Sequence, residues 1–450
     1  MEIDKLKVAA TEVKLVGKET LIPLKGATST VLNTSKDISK QVIISNTTYI
    51  VRTTFDLKGR SITVPKGCTL SIERGGFKNG TIVGQNTIVV GSGKIFNKVN
   101  IEGTWDCPGN VGWFADGCEV IPYGENGARP NNNGVKYLSD DSENIQYALD
   151  SSFRELIFPP KLFYIANPII LRKEKKITLQ GSKMALPLDM CRKTMNNTCV
   201  IFTDKNIDMF IIAVKENLLT RNSVSIQGGT FDCSLCPSYT SSCILVKTDE
   251  QETVWGLDID TNILGRPGNT SGFGINIGRD PDASISDVMA NNIQYNLSNF
   301  GYATQVRIKG TIYSMGTGIS VKNYTWGNTT TYFNWCTDVQ IDCTIIECLE
   351  AIYSNTDTDI RGMIQSANIH AAGNSDALIN LDSTVASIGA NIFDMRMGPN
   401  RASYAVNIKN PNAIIVAYGL FAGIHRAGLY QLPENLKFNC ATGYSERLTY

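Results

Sequence analysis

VRIKG, residues 306–310, recurs in outline as VNIEG from Val99, ITLQG from Ile177, VSIQG from Val224 and VQIDC from Val339. Each copy sets out a β-branched residue, a polar one, Ile or Leu, a second polar one and a small residue. In a strand alternate side chains face opposite sides, so the first, third and fifth positions share an inward face. The small fifth residue stands where the strand has to bend away. Helical periodicity is almost absent from the rest of the chain, and short strand-like runs are nearly everywhere. A strand-and-turn unit that is covered only by the next such unit is the signature of a solenoid. The copies are unevenly spaced, which such a fold tolerates, because loops of varied length can leave it at the corners. Two-residue hairpin turns are scarce, which argues against an immunoglobulin-like sandwich.

Outward from these copies the chain divides into stretches of different character. Residues 1–40 show neither period nor repeat and read as an arm that docks elsewhere. Residues 41–117 form a smaller β-rich module, in which Phe55, Phe77 and Phe96 each lead a similar phrase. The turn-rich residues 118–139 are a linker. A parallel β solenoid is expected over residues 140–387, and the less regular residues 388–450 make a tip or closing cap. One helix is expected, from Asp140 to Phe153, with Ile145, Ala148, Leu149 and Phe153 on one face. Asp140 and Glu143 have capping-box spacing at its start. Placed ahead of the solenoid, this helix would cover an open sheet edge that otherwise invites strand addition.

The stretch from Asp140 through Gly181 resembles the opening of pectate-lyase-like right-handed β-helix proteins. Its features are a capping helix, then Phe158-Pro159-Pro160, then a strand with Tyr164-Ile165 and one with Ile170-Leu171. Lys161 stands where that family often has Gly. Residues 49–114, with the phrases GGFKNGTIVGQNT and IEGTW, are similar to N-terminal modules of β-helix proteins from gut bacteria and their phages. The resemblance implies an all-β fold, a right-handed single-stranded parallel β-helix with a short N-terminal capping helix. It further implies a phage tailspike or tail-fibre role on the virion, a homotrimer, and other virion proteins bound through the N-terminal segment. One scaffold hosts many activities, so fold is better supported than function.

Composition narrows the partners. Lys+Arg and Asp+Glu are both 42, so the formal net charge is +0, unlike a nucleic-acid binder. No apolar run reaches the length of a membrane span. The first residues, MEIDKLKVAATEVKL, lack a signal peptide's apolar core, so synthesis in a host cytoplasm is expected. The 12 cysteines are scattered through a long chain, which in a reducing cytoplasm reads as buried thiols. Cys233 and Cys236 have CxxC spacing, but no second pair is spaced for zinc. Neither a metal nor a cofactor is called for.

Two groups of residues are candidates for chemistry with a cell-surface polysaccharide. Asp342, Glu347 and Glu350 are acidic and close in sequence, as a depolymerase's carboxylates would be, with a solvated face as the alternative. Tyr324, Trp326, Tyr332, Phe333 and Trp335 crowd among Asn, Thr and Gly, as a sugar-binding loop would, with packing against the solenoid or another subunit as the alternative. Arg307-Ile308-Lys309 and Asn355-Thr356-Asp357 look like pieces of a polygalacturonase signature, but in the opposite order and without the elements between. Three functions follow in order: glycan recognition, depolymerisation of the same glycan by lyase or hydrolase chemistry, and a purely structural virion part.

Overall fold

The structure is a computed structural model that describes residues 13–16, 21–24, 29–118, 140–190, 197–215, 223–248, 253–269, 271–278, 301–322, 334–366, 377–382, 385–388, 391–394, 404–411, 414–417, 421–422 and 428–431. The chain falls into two compact units: residues 1–109 with 151–153, and residues 110–150 with 154–450.

In the first unit the three Phe-led phrases are parallel strands. Thr54–Asp56, Gly76–Gly91 and Phe96–Trp105 align Phe55 with Phe77 and Phe77 with Phe96. The three rings stack in a buried column with centroids 6.0 and 6.4 Å apart. Thr48–Val51 and Thr69–Ile72 run parallel beside them, and the buried Tyr49 hydroxyl donates to Ile44 O at 2.9 Å. Trp105 packs on Phe153 with centroids 5.2 Å apart, and its indole N–H donates to Glu102 O at 2.9 Å.

The second unit is built on two long parallel sheets. The first, the repeat sheet, contains in order Glu155–Phe158, Lys175–Leu179, Val224–Asp232, Thr253–Leu264, Gly301–Tyr313, Asn334–Ile346, Thr358–Ser366, Val385–Ile388 and Ile414–Ala417. The second, the companion sheet, contains Ile169–Leu171, Phe210–Ile212, Ser242–Val246, Phe273–Ile277, Thr317–Val321, Glu350–Ser354, Ala377–Leu381, Tyr404–Ile408 and Gly428–Gln431. From Lys175 onward the chain visits the two sheets in turn, and each strand pairs with the one laid down a visit earlier. Parallel neighbours need a crossover. Here the crossover supplies a strand to the other sheet.

The repeat copies are the strands of the repeat sheet, and their inward positions are its core. Val224, Ile226, Val306, Ile308, Val339 and Ile341 are all buried, as are Val99 and Ile101 in the first unit. Val306 pairs with Val339 and Ile308 with Ile341, so equivalent positions stack. The small fifth residue has a backbone reason. Gly310 has φ +114°, and a Cβ there would stand 2.0 Å from the backbone oxygen of Thr261. Between the sheets, Phe210 meets Phe231 edge to face at 5.8 Å.

The helix runs from Ser142 to Asp150, shorter at both ends than the sequence pattern implied. Ile145, Ala148 and Leu149 form its buried face, but Phe153 lies beyond its end. Asp141 rather than Asp140 opens it, since Ile145 N donates to Asp141 O at 2.8 Å. Asp140 instead accepts from the backbone of Ser142 and Ala166, tying the start of the helix to the chain after Tyr164. Gln146 on this helix binds Ile170 twice, donating to its carbonyl at 2.9 Å and accepting from its N–H at 2.8 Å. Ile169–Leu171 is the end strand of the companion sheet, so the helix satisfies edge backbone groups that would otherwise be open to pairing.

Candidate functional site

Beyond their buried stripes, the companion strands repeat a second pattern: INI, ISV, IYS, INL and VNI, with Asn276, Ser320, Tyr353, Asn380 and Asn407 in the middle. These five residues stack in register on successive strands. A second column, Phe273, Thr317 and Glu350, lies at the strand starts. Thr317, Glu350, Tyr353 and Asn380, with Phe273 and Lys409, line a groove of about 530 Å³.

Hydrogen bonds fix the groove's polar groups in a chain. Asn407 Nδ2 donates to Asn380 Oδ1 at 2.9 Å, and Asn380 Nδ2 donates to Glu350 Oε1. Thr317 Oγ1 donates to the other carboxylate oxygen, Oε2, at 3.0 Å. Four successive strands thus hold one carboxylate in place. Each of its oxygens keeps acceptor capacity for a further hydroxyl. On the Tyr353 column, Asn276 Oδ1 and Ser320 Oγ are buried and have no hydrogen-bond partner in the structure. Buried polar atoms of this kind are uncommon, and a hydroxyl or water brought from outside would satisfy them.

The three acidic candidates do not share a cleft. Glu350 lines the companion-sheet groove. Asp342 lines a separate cleft of about 190 Å³ on the repeat sheet, with Arg307, Lys309, Gln340, Asp359 and Arg361. There Asp260, Lys309, Asp342 and Arg361 stack directly in register, so charges alternate strand by strand. Asp260 also pairs with Lys183, and Arg361 pairs with Asp359 at 2.7 Å. Opposite charges facing each other across strands contribute roughly 0.2–1 kcal/mol per pair. Asp342 is exposed, as alternation required, and its setting is that of a ladder of matched charges. Glu347 is half-buried at the corner between these strands, in the left-handed region with φ 56°.

Of the aromatic candidates, Tyr324, Trp326, Tyr332 and Phe333 lie outside the described residues. The backbone of Trp335 is in the strand Asn334–Ile346, in register with Tyr302. The sequence reading overlooked Thr317, Tyr353, Asn380 and Lys409. The apolar–polar–apolar triplets at residues 275–277, 379–381 and 406–408 were the available signal.

The ten cysteines among the described residues are all free, and nine of them are buried. Burial pushes the Cys336 thiol up to about 12 and holds Cys199 and Cys343 higher still. These thiols are poor nucleophiles. No family model matches this chain, and no curated protein or solved structure matches it.

Proposed function

We propose that this protein is a right-handed parallel β-helix of the tailspike or tail-fibre kind, carried on a phage particle, that binds a cell-surface polysaccharide along its companion sheet. The observation that carries the glycan reading is the groove of Thr317, Glu350, Tyr353 and Asn380. A sugar offers hydroxyls and apolar C–H faces, and this groove offers a fixed carboxylate, an amide, a hydroxyl and an aromatic ring. The alternation of strands between two parallel sheets supports the coil, and the sequence resemblance supports the phage setting, the trimer and attachment through the N-terminal segment. Among the described residues lining the groove, Glu350 is the one carboxylate. Hydrolysis by a carboxylate pair asks for a second within about 5–10 Å. Lyase chemistry needs no such pair, so fragment size is what separates binding from cleavage. Among the described residues no helix is long and apolar enough to cross a membrane.

The test is binding of purified protein to surface-polysaccharide extracts from candidate host bacteria, with wild type beside Tyr353→Ala and Glu350→Gln. The expected outcome is binding by the wild type, a loss of about tenfold or more in Glu350→Gln, since one lost charge-assisted contact is worth ~1.5–3 kcal/mol, and a loss of roughly 2- to 12-fold in Tyr353→Ala, since a ring contact is worth roughly 0.5–1.5 kcal/mol. Variants that keep the wild-type melting temperature and bind equally well would refute the assignment of the groove. Fragment sizes in the same mixtures separate an adhesin from a depolymerase.

A further inference from the structure

We infer that the sugar bound at Glu350 presents a vicinal diol, two hydroxyls on neighbouring carbons, one to each oxygen of the carboxylate. This rests on the glycan reading of the groove. Glu350 has one protein donor on each oxygen: Asn380 Nδ2 on Oε1, and Thr317 Oγ1 on Oε2 at 3.0 Å. The donors come from the strands on either side, Thr317–Val321 and Ala377–Leu381, so the carboxylate is held from both flanks. Its backbone is fixed as well, since Glu350 N donates to Gly316 O at 2.9 Å. A group so held has little freedom to turn toward a ligand, and the ligand has to match it.

A carboxylate offers about four acceptor sites over its two oxygens. The protein fills one on each oxygen, and one on each stays open. Both protein donors are neutral, and among the described residues Glu350 makes no ion pair. Lys409 is the one cation among the described residues lining the groove, and its Nζ stands over the Tyr353 ring, 6.0 Å from the centroid. A ligand lying in the groove, which holds about 530 Å³, takes water from both open sites at once. Leaving either one unmet would strand a charged oxygen beneath the ligand, at the desolvation cost of a buried polar group. A lone hydroxyl meets one site. Hydroxyls on adjacent ring carbons meet both, side by side as the two oxygens are, and each such bond is of the stronger, charge-assisted kind. An amine is the rival donor, and the test separates it from a diol.

The probe is the bacterial surface-polysaccharide extract in three forms: untreated, oxidised with periodate and then reduced with borohydride, and N-acetylated. Periodate cleaves the carbon–carbon bond between neighbouring hydroxyls, and N-acetylation neutralises free amines. Oxidation is expected to weaken wild-type binding about tenfold or more, the scale of a lost charge-assisted contact, while N-acetylation changes little. Oxidation and Glu350→Gln remove two sides of one contact, so their effects are not expected to add. The variant therefore binds the untreated extract about tenfold more weakly than the wild type, and the oxidised extract nearly as well as the wild type does. If Glu350→Gln does not keep the wild-type melting temperature, Glu350→Asp takes its place in the cycle, because it keeps the charge but draws the carboxylate back by one methylene. Equal losses on oxidation in wild type and variant would mean that Glu350 does not hold the diol. The inference also fails if the wild type binds the oxidised extract as well as the untreated one, or if N-acetylation is the treatment that removes binding. In each of these cases the glycan reading stands. If the wild type binds no extract, the glycan reading fails and takes the inference with it.

Discussion

Lys175 opens the strand Lys175–Leu179 with only 4% of its surface exposed. Burial, helped by the neighbouring charge of Lys173, brings its pKa from 10.5 down to about 7, against the opposing pull of Asp150. In the unfolded chain the amine keeps its ordinary value. Below pH 7 it is therefore charged in both states, and the folded state bears the full cost of a buried ammonium. Between pH 7 and 10.5 the unfolded chain binds more protons than the folded one, so stability rises with pH across that window. At ~1.36 kcal/mol per pH unit the drop corresponds to a ceiling of about 5 kcal/mol, and relaxation of the site brings the expected figure to roughly 2–5 kcal/mol. Lys175→Met keeps the length of the side chain and removes the charge. Urea unfolding of the two proteins at pH 6, 8 and 10 is the assay, because the difference between them cancels every other titrating group. Lys175→Met is expected to be the more stable by that amount at pH 6, with the gap closing as pH approaches 10. A gap that stays constant with pH, or a wild type more stable at pH 6, would refute the reasoning.

Gly310→Ala places a methyl against the Thr261 carbonyl at a φ of +114°, so a loss of more than about 3 kcal/mol is expected in thermal unfolding. Gly59→Ala is the matched control: its φ is +77°, but nothing lies within 4 Å of the added atom, and about 1 kcal/mol is expected. Asp342→Asn removes one member of the charge ladder and is expected to cost no more than ~1 kcal/mol and to leave polysaccharide chain length over time unchanged. If the wild type shortens the chains and this variant does not, Asp342 acts on substrate and the ladder reading is wrong.

The parts of this fold that could be read in the sequence are those in which one strand carries its own pattern. Val306, Ile308 and Gly310 announce an inward face and a bend without reference to any other strand. The Phe55, Phe77 and Phe96 column was visible for the same reason. The helix was half legible: Ile145, Ala148 and Leu149 mark its buried face, but Phe153 has helical spacing while packing on Trp105, a contact far away in sequence. The groove was hidden for a stronger reason. Tyr353 and Asn380 are neighbours only because their strands are adjacent in register, and each alone is an unremarkable polar interruption of an apolar run. The acidic candidates show the converse error, since nearness in sequence put Asp342 beside Glu350 while the chain crosses from one sheet to the other between them.

That crossing has a consequence for how such a chain can lengthen. The connection from companion sheet back to repeat sheet is as short as residues 355–357 and as long as residues 278–300. The aligned positions on either side keep their partners nonetheless: Leu257 pairs with Val306, Val306 with Val339, and Val339 with Thr358. Three doublings of connection length add only ~2 kcal/mol of closure entropy. The ladder therefore acts as a ruler that counts strands and ignores the thread between them. New sequence can enter at a corner, and a binding surface can be redrawn there, at little cost to the stack that holds it.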